Sequence, residues 1–164
     1  MPIPMRIVKY IPERMYGFAA DPSGLEVFFH LGVFDPKMKG PVVPVCHKCH
    51  RTDCISWDWA SPPPILGENV LVTLPDIIVL GRAPRALRVE RMDVPEMRIG
   101  VVQAFDPLRG YGFISGDTTL YHLHRSEMLD GHMPMPGNTL VFYVGTRLDR
   151  PRACHIKVCV CEGK

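Results

Sequence analysis

Two groups of residues in this 164-residue chain have the types and spacing to do chemistry. The first is Cys46-His47-Lys48-Cys49-His50-Arg51-Thr52-Asp53-Cys54, with five thiol or imidazole side chains in nine positions. Zinc takes thiolate and imidazole ligands in tetrahedral sites, and a C-x-x-C turn lets two thiolates grip one ion. Cys46, Cys49 and Cys54 are therefore expected zinc ligands, with His50 as the nearest fourth. His47, or Cys154, Cys159 or Cys161 near the chain end, could fill that fourth place instead. A bound ion would also lend folding energy to a segment with little core of its own. Read as C-x-x-C-H the string is a haem attachment signal, but the opening Met1-Pro-Ile-Pro-Met-Arg6 lacks the apolar stretch of a secretory leader. A redox C-x-x-C would open a helix in a βαβ context, which the surroundings do not offer. Surface thiols without a metal are the plain alternative.

The second group is aromatic. Tyr16-Gly17-Phe18 and Phe28-Phe29-His30 are followed, about a hundred residues later, by Tyr111-Gly112-Phe113 and His122-Leu123-His124. Alternate side chains of a strand share a face, so each set places rings on one side. On a solvent-facing sheet such rings are platforms for unpaired bases, each stack contributing roughly 1–3 kcal/mol. For a single ring, burial in the core is the commoner fate. The repetition in register argues for the exposed face. Gly17 and Gly112 would then point inward, where the strand can close against a backbone lacking Cβ.

The elements that must hold these rings are short strands. Seventeen prolines and fourteen glycines exclude long helices, and 46% hydrophobic with 22% charged residues is a globular composition. No apolar run is long enough for a membrane-spanning helix. The chain repeats itself. Each half has an apolar strand and turn leading into Tyr-Gly-Phe, then a third strand ending in His30 or His124. A Gly turn with another apolar strand follows, at Gly67 or Gly137, and then Pro-Arg-Ala with a last strand, at Pro84 or Pro151. Five strands per half predict an all-β chain of two small barrels, residues 1–92 and 93–164. Ile7, Val8, Val27, Val70 and Val72 are the expected interior of the first. Its insert at about 40–64 carries the cysteine cluster, Trp57, Trp59 and Pro62-Pro63-Pro64, the last a stiff polyproline II exit.

On these residues both halves resemble cold-shock domains, five-stranded OB-fold barrels that bind single-stranded RNA and DNA. Arg109-Gly-Tyr-Gly-Phe-Ile114 stands for the family's first motif, Lys-Gly-Phe-Gly-Phe-Ile. Tyr121-His-Leu-His-Arg-Ser126 stands for its second, with His122 replacing the central Phe. In the first half Val27-Phe-Phe-His-Leu-Gly32 is a good second motif, whereas Met15 replaces the Gly before Tyr16. Lys9 and Tyr10 fall where the family has a Lys and a stacking Trp, positions held by Gln103 and Ala104 in the second half. The resemblance implies a nucleic-acid face made of Lys9, Tyr10, Tyr16, Phe18, Phe28 and His30, and of Arg109, Tyr111, Phe113, His122 and His124.

Net charge is +2 overall, +2 for residues 1–92 and zero for 93–164, without the strong positive field common in nucleic-acid binders. Stacking needs few positive charges, so the binding reading survives. Six cysteines in a chain of this kind point to a reducing, cytoplasmic setting. No phosphate-cradling Gly loop, nucleophile elbow or zinc deaminase signature is present, so no catalysis is expected. The expected function is binding of single strands, RNA before DNA, as a chaperone or regulator. The alternative is an accessory subunit of a ribonucleoprotein or transcription assembly, with the same barrels contacting protein or structured RNA.

Overall fold

In the computed structural model, residues 2–36, 62–77, 81–129 and 131–159 are described, and all regular structure among them is strand apart from three single 3-10 turns. They divide into two compact units with the boundary between Val94 and Pro95. No helix among them is long and apolar enough to cross a membrane.

The first unit is a six-stranded sheet made of β1 (Ile3–Ile11), β2 (Tyr16–Ala20), β3 (Glu26–His30), β4 (Phe34–Asp35), β5 (Asn69–Thr73) and β6 (Arg88–Arg91), in the order β3-β2-β1-β5-β6-β4. Alternation decides the faces. Met5 and Ile7 of β1, Ala19 of β2, Val27 and Phe29 of β3, Val70 and Val72 of β5, and Val89 of β6 form the core. The free edge of β3 meets the segment leading into β6, where the Phe28 N–H donates to the Pro84 carbonyl at 2.8 Å and the Ala86 N–H to the Phe28 carbonyl at 2.8 Å. That contact closes the β3 edge against the segment before β6.

One buried cation ties the end of the insert to this unit. Arg91, 2% exposed, donates from Nε and Nη2 to the Glu68 carboxylate at 2.7 and 2.9 Å. Its Nη1 and Nη2 also donate to the carbonyls of Pro62 and Pro63 at 3.0 and 2.9 Å, and its guanidinium lies 5.1 Å from the Phe34 ring centroid. Pro62 and Pro64 are buried, so the proline run is docked onto the sheet rather than serving only as a stiff exit.

The second unit is a closed barrel of β7 (Met97–Asp106), β8 (Tyr111–Gly116), β9 (Thr119–His124), β10 (Thr139–Arg147) and β11 (Arg150–Val158), in the order β10-β11-β9-β8-β7. Neighbours are antiparallel except β11 with β9. Val102, Ile114, Leu123, Leu140, Phe142, Ala153 and Ile156 fill it.

The repeat read from the sequence reappears as register. Tyr16 faces His30 and Phe18 faces Phe28, as Tyr111 faces His124 and Phe113 faces His122. Gly17 and Gly112 point inward as expected. A Cβ on Gly112 would lie 2.0 Å from the Ala104 carbonyl oxygen, and one on Gly17 would lie 2.5 Å from that of Lys9. The turn before each of these strands needs a left-handed residue, Gly110 at φ 77° in the second unit and Met15 at φ 56° in the first. Met15 is about half exposed, so its side chain contributes little packing against the backbone cost of that conformation. Met15→Gly is expected to stabilise the chain by up to about 1 kcal/mol in urea unfolding. A loss of more than that amount would mean that the Met15 side chain matters to the turn.

Candidate nucleic-acid interface

Because the core already takes Ala19, Val27 and Phe29, the intervening rings of β2 and β3 must leave on the other face. Tyr16, Phe18 and Phe28 form a half-buried cluster there, with centroids 5.2 Å apart for Tyr16–Phe28, 5.6 Å for Phe18–Phe28 and 6.0 Å for Tyr16–Phe18. Exposed Lys9 stands across from Phe18, and the Arg85 guanidinium sits 5.5 Å from the Phe28 centroid. The platform therefore carries cations beside its rings.

Two residues of β1, Val8 and Tyr10, are placed differently from the sequence expectation. The pairing of β1 with β2 slips between Ile7 and Lys9, a β-bulge at Val8. Val8 follows inward-facing Ile7, so alternation turns it out of the core, where it is 46% exposed. The bulge then sets Tyr10 across from inward-facing Gly17, on the opposite side of the sheet from Phe18 and Phe28. Tyr10 is thus not brought to the ring cluster; burial, with a smaller contribution from Glu13, raises its pKa. The second unit has the same bulge at Gln103, so Ala104 faces Phe113 and supplies no ring.

On β8 and β9, Tyr111 stacks on His122 at 6.0 Å and 14°, and Phe113 meets His122 edge-on at 5.9 Å. Arg109 is exposed and its Nη1 donates to the Tyr111 hydroxyl at 3.3 Å. His30 and His124 lie at the ends of β3 and β9, and each caps the 3-10 turn that follows. The His30 Nδ1 accepts the Gly32 N–H at 3.0 Å, and the His124 Nδ1 accepts the Ser126 N–H at 3.1 Å. An accepting Nδ1 leaves the ring proton on Nε2 and fixes the plane of each imidazole.

Burial first, and then the Arg152 charge, lowers the pKa of both His122 and His124. The folded chain therefore protonates these rings at lower pH than the unfolded chain, whose imidazoles titrate in the ordinary range near 6.5. Stability from this pair is complete above that range and is lost as pH falls through it, because the unfolded state binds more protons. Urea unfolding at pH 7.5 and 5.5 checks this. His122→Phe is expected to show a smaller loss on acidification than the parent chain, and an equal loss would contradict it.

Two further cations near the rings escape a reading of the sequence motifs. Arg85 and Arg152 occupy the same place in the repeated Pro-Arg-Ala, where Arg85 pairs with Phe28 of β3 and Arg152 pairs with His122 of β9. The repetition of that tripeptide is the signal that could have found them. The expected zinc ligands Cys46, Cys49, His50 and Cys54, with His47 and Cys161, lie outside the described residues. Cys154 and Cys159, two of the thiols that could have supplied the fourth ligand, are buried in the second unit. No group of three His, Cys, Asp or Glu among the described residues is arranged to hold a metal.

No protein-family model matches the chain, and no curated protein does. Among solved structures, one titled "drosophila Unr CSD456" matches at a TM-score of 0.37 and 13% identity. The match covers 96% of this chain, which spans 61% of that structure. Similarity at that level decides nothing about function. What bears on function is the strand order of this chain and its outward rings.

Proposed function

We propose that the chain binds single-stranded nucleic acid, with bases lying on the outer rings of β2–β3 and β8–β9. The observation that carries this is the cluster of Tyr16, Phe18 and Phe28, within 6.0 Å of one another on the side of the sheet away from a core that is already filled. In OB-fold barrels the face of the second and third strands, with the loops joining strands 1–2 and 4–5, is where oligonucleotides bind. The cold-shock resemblance of the motifs supports the same face. RNA is the strand we favour on that resemblance, and since stacking is blind to the sugar, competition between RNA and DNA oligonucleotides decides it. The chain then acts as a holder of unpaired strands, a chaperone or regulator, rather than a catalyst.

The test is a titration of the full chain with a short oligopyrimidine, followed by tyrosine fluorescence. Saturable quenching by the single strand, weaker with a duplex of the same sequence, is the expected result. No saturable binding, or equal binding of the duplex, would overturn the reading. The same proposal includes one zinc ion on Cys46, Cys49, Cys54 and His50, supported by the C-x2-C-x4-C spacing alone. Metal analysis of the purified chain is expected to find one equivalent, and finding none would remove that part.

A further inference from the structure

The second unit has a feature that base stacking leaves unexplained. A pocket of about 600 Å³ opens on the β8–β9 face beside the β10–β11 hairpin, a volume in the range of small-molecule sites. Phe113 and His122 line it from the strands, and Arg147, Leu148, Arg150 and Arg152 from the hairpin. Arg152 is only 8% exposed, and its Nε has no hydrogen-bond partner. An arginine carries donors and no acceptor, so a buried Nε–H without a partner is a donor awaiting an acceptor. Among the described residues, none of Arg147, Arg150 and Arg152 forms an ion pair.

The corresponding arginine of the first unit behaves differently. Arg85 is exposed and rests over Phe28, whereas Arg152 is buried in a hairpin whose pairing runs on to Arg147 and Arg150. The hairpin closes through Leu148 and Asp149, both at positive φ, 51° and 61°. That is the two-residue turn for which Asn-Gly is the usual choice. An exposed Leu in that conformation is strained, so the turn keeps a costly residue at the rim of the pocket. Its position also pairs Arg147 with Arg150 across the hairpin, and both line the pocket. After burial, the Arg152 charge is the next cause that depresses the pKa of both neighbouring imidazoles.

We infer that this pocket is a phosphate-binding subsite, in which Arg147, Arg150 and Arg152 hold the phosphate of a nucleotide whose base lies on Phe113 and His122. Guanidinium groups match phosphate oxygens in geometry and keep their charge at any working pH. Stacking rings beside the cations select a nucleotide over a bare anion. The identity of the ligand rests on the single-strand reading above, and the phosphate arrives either as an internal diester of a strand or as a terminal monoester.

The test uses the full chain with uridine 5′-monophosphate, uridine and two oligopyrimidines that differ only in a 5′-phosphate. Because Arg152→Gln disturbs a buried position, Arg147→Ala with Arg150→Ala serves as the second variant on the exposed hairpin. The expected result is saturable binding of the monophosphate, at least tenfold weaker binding of uridine, and a tenfold or larger loss for the monophosphate in each variant. A gain from the 5′-phosphate that disappears in the variants identifies a terminal monoester. Equal weakening of both oligonucleotides identifies an internal diester. Equal binding of uridine and its monophosphate, or no change in the variants, would overturn the subsite while ring-dependent strand binding stood. Monophosphate binding that persists where no oligonucleotide binds would instead sink the single-strand reading alone.

Discussion

Replacing Arg91 by alanine is expected to destabilise the first unit by about 3–5 kcal/mol, the usual cost of breaking a buried pair from one side. The guanidinium is 2% exposed and makes a two-pronged contact with Glu68, while its remaining donors serve the carbonyls of Pro62 and Pro63. Its removal leaves a carboxylate facing a cavity and undocks the proline run that ends the insert. Since a domain of this kind has only about 5–15 kcal/mol in hand, much of the unit's stability would go. Replacing both partners, Arg91→Met with Glu68→Met, is expected to cost less than Arg91→Ala alone, because no uncompensated charge remains. Urea midpoints of the three proteins check this. A loss below about 1 kcal/mol for Arg91→Ala would show that the clamp is not formed in solution.

Removing the first platform with Tyr16→Ala, Phe18→Ala and Phe28→Ala together is expected to weaken single-strand binding by at least a hundredfold. Each base–ring stack contributes roughly 1–3 kcal/mol, so even the lower limit for three rings exceeds two decades in affinity. Contacts within one cluster do not add, which is why only the lower limit is used. The interior ring Phe29 is untouched, and a melting curve shows whether the sheet survives. Charge substitutions at Lys9 and Arg85 are expected to act differently. They should reduce the salt dependence by about one counterion each and weaken binding evenly across sequences. A triple variant that is folded and still binds like the parent would move the site away from these rings.

Much of this was legible in the sequence because it is periodic and local. Tyr-Gly-Phe and the alternation of Val27, Phe28, Phe29 and His30 fix which side chains go in and out once the segment is a strand. The same holds for Gly17 and Gly112, which the backbone of the neighbouring strand requires. Val8 faces out because its neighbour Ile7 takes the inward place, whereas Tyr10 is misplaced by a bulge that reverses the parity after Val8, with no residue type in Ile7-Val8-Lys9 to announce it. The Arg91 clamp joins positions 23 to 29 residues apart, and no local pattern marks such a pairing. Arg152 is equivalent to Arg85 within its tripeptide, and nothing in that tripeptide tells the buried guanidinium from the exposed one.

Ring proton resonances of the full chain, recorded while a single-stranded oligopyrimidine is added, report directly on whether bases lie on the outer rings. Tyr16, Phe18, Phe28, Tyr111 and Phe113 should move upfield and saturate together, while the interior rings Phe29 and Phe142 stay in place. Saturable binding with those five rings unmoved would contradict the stacking face outright.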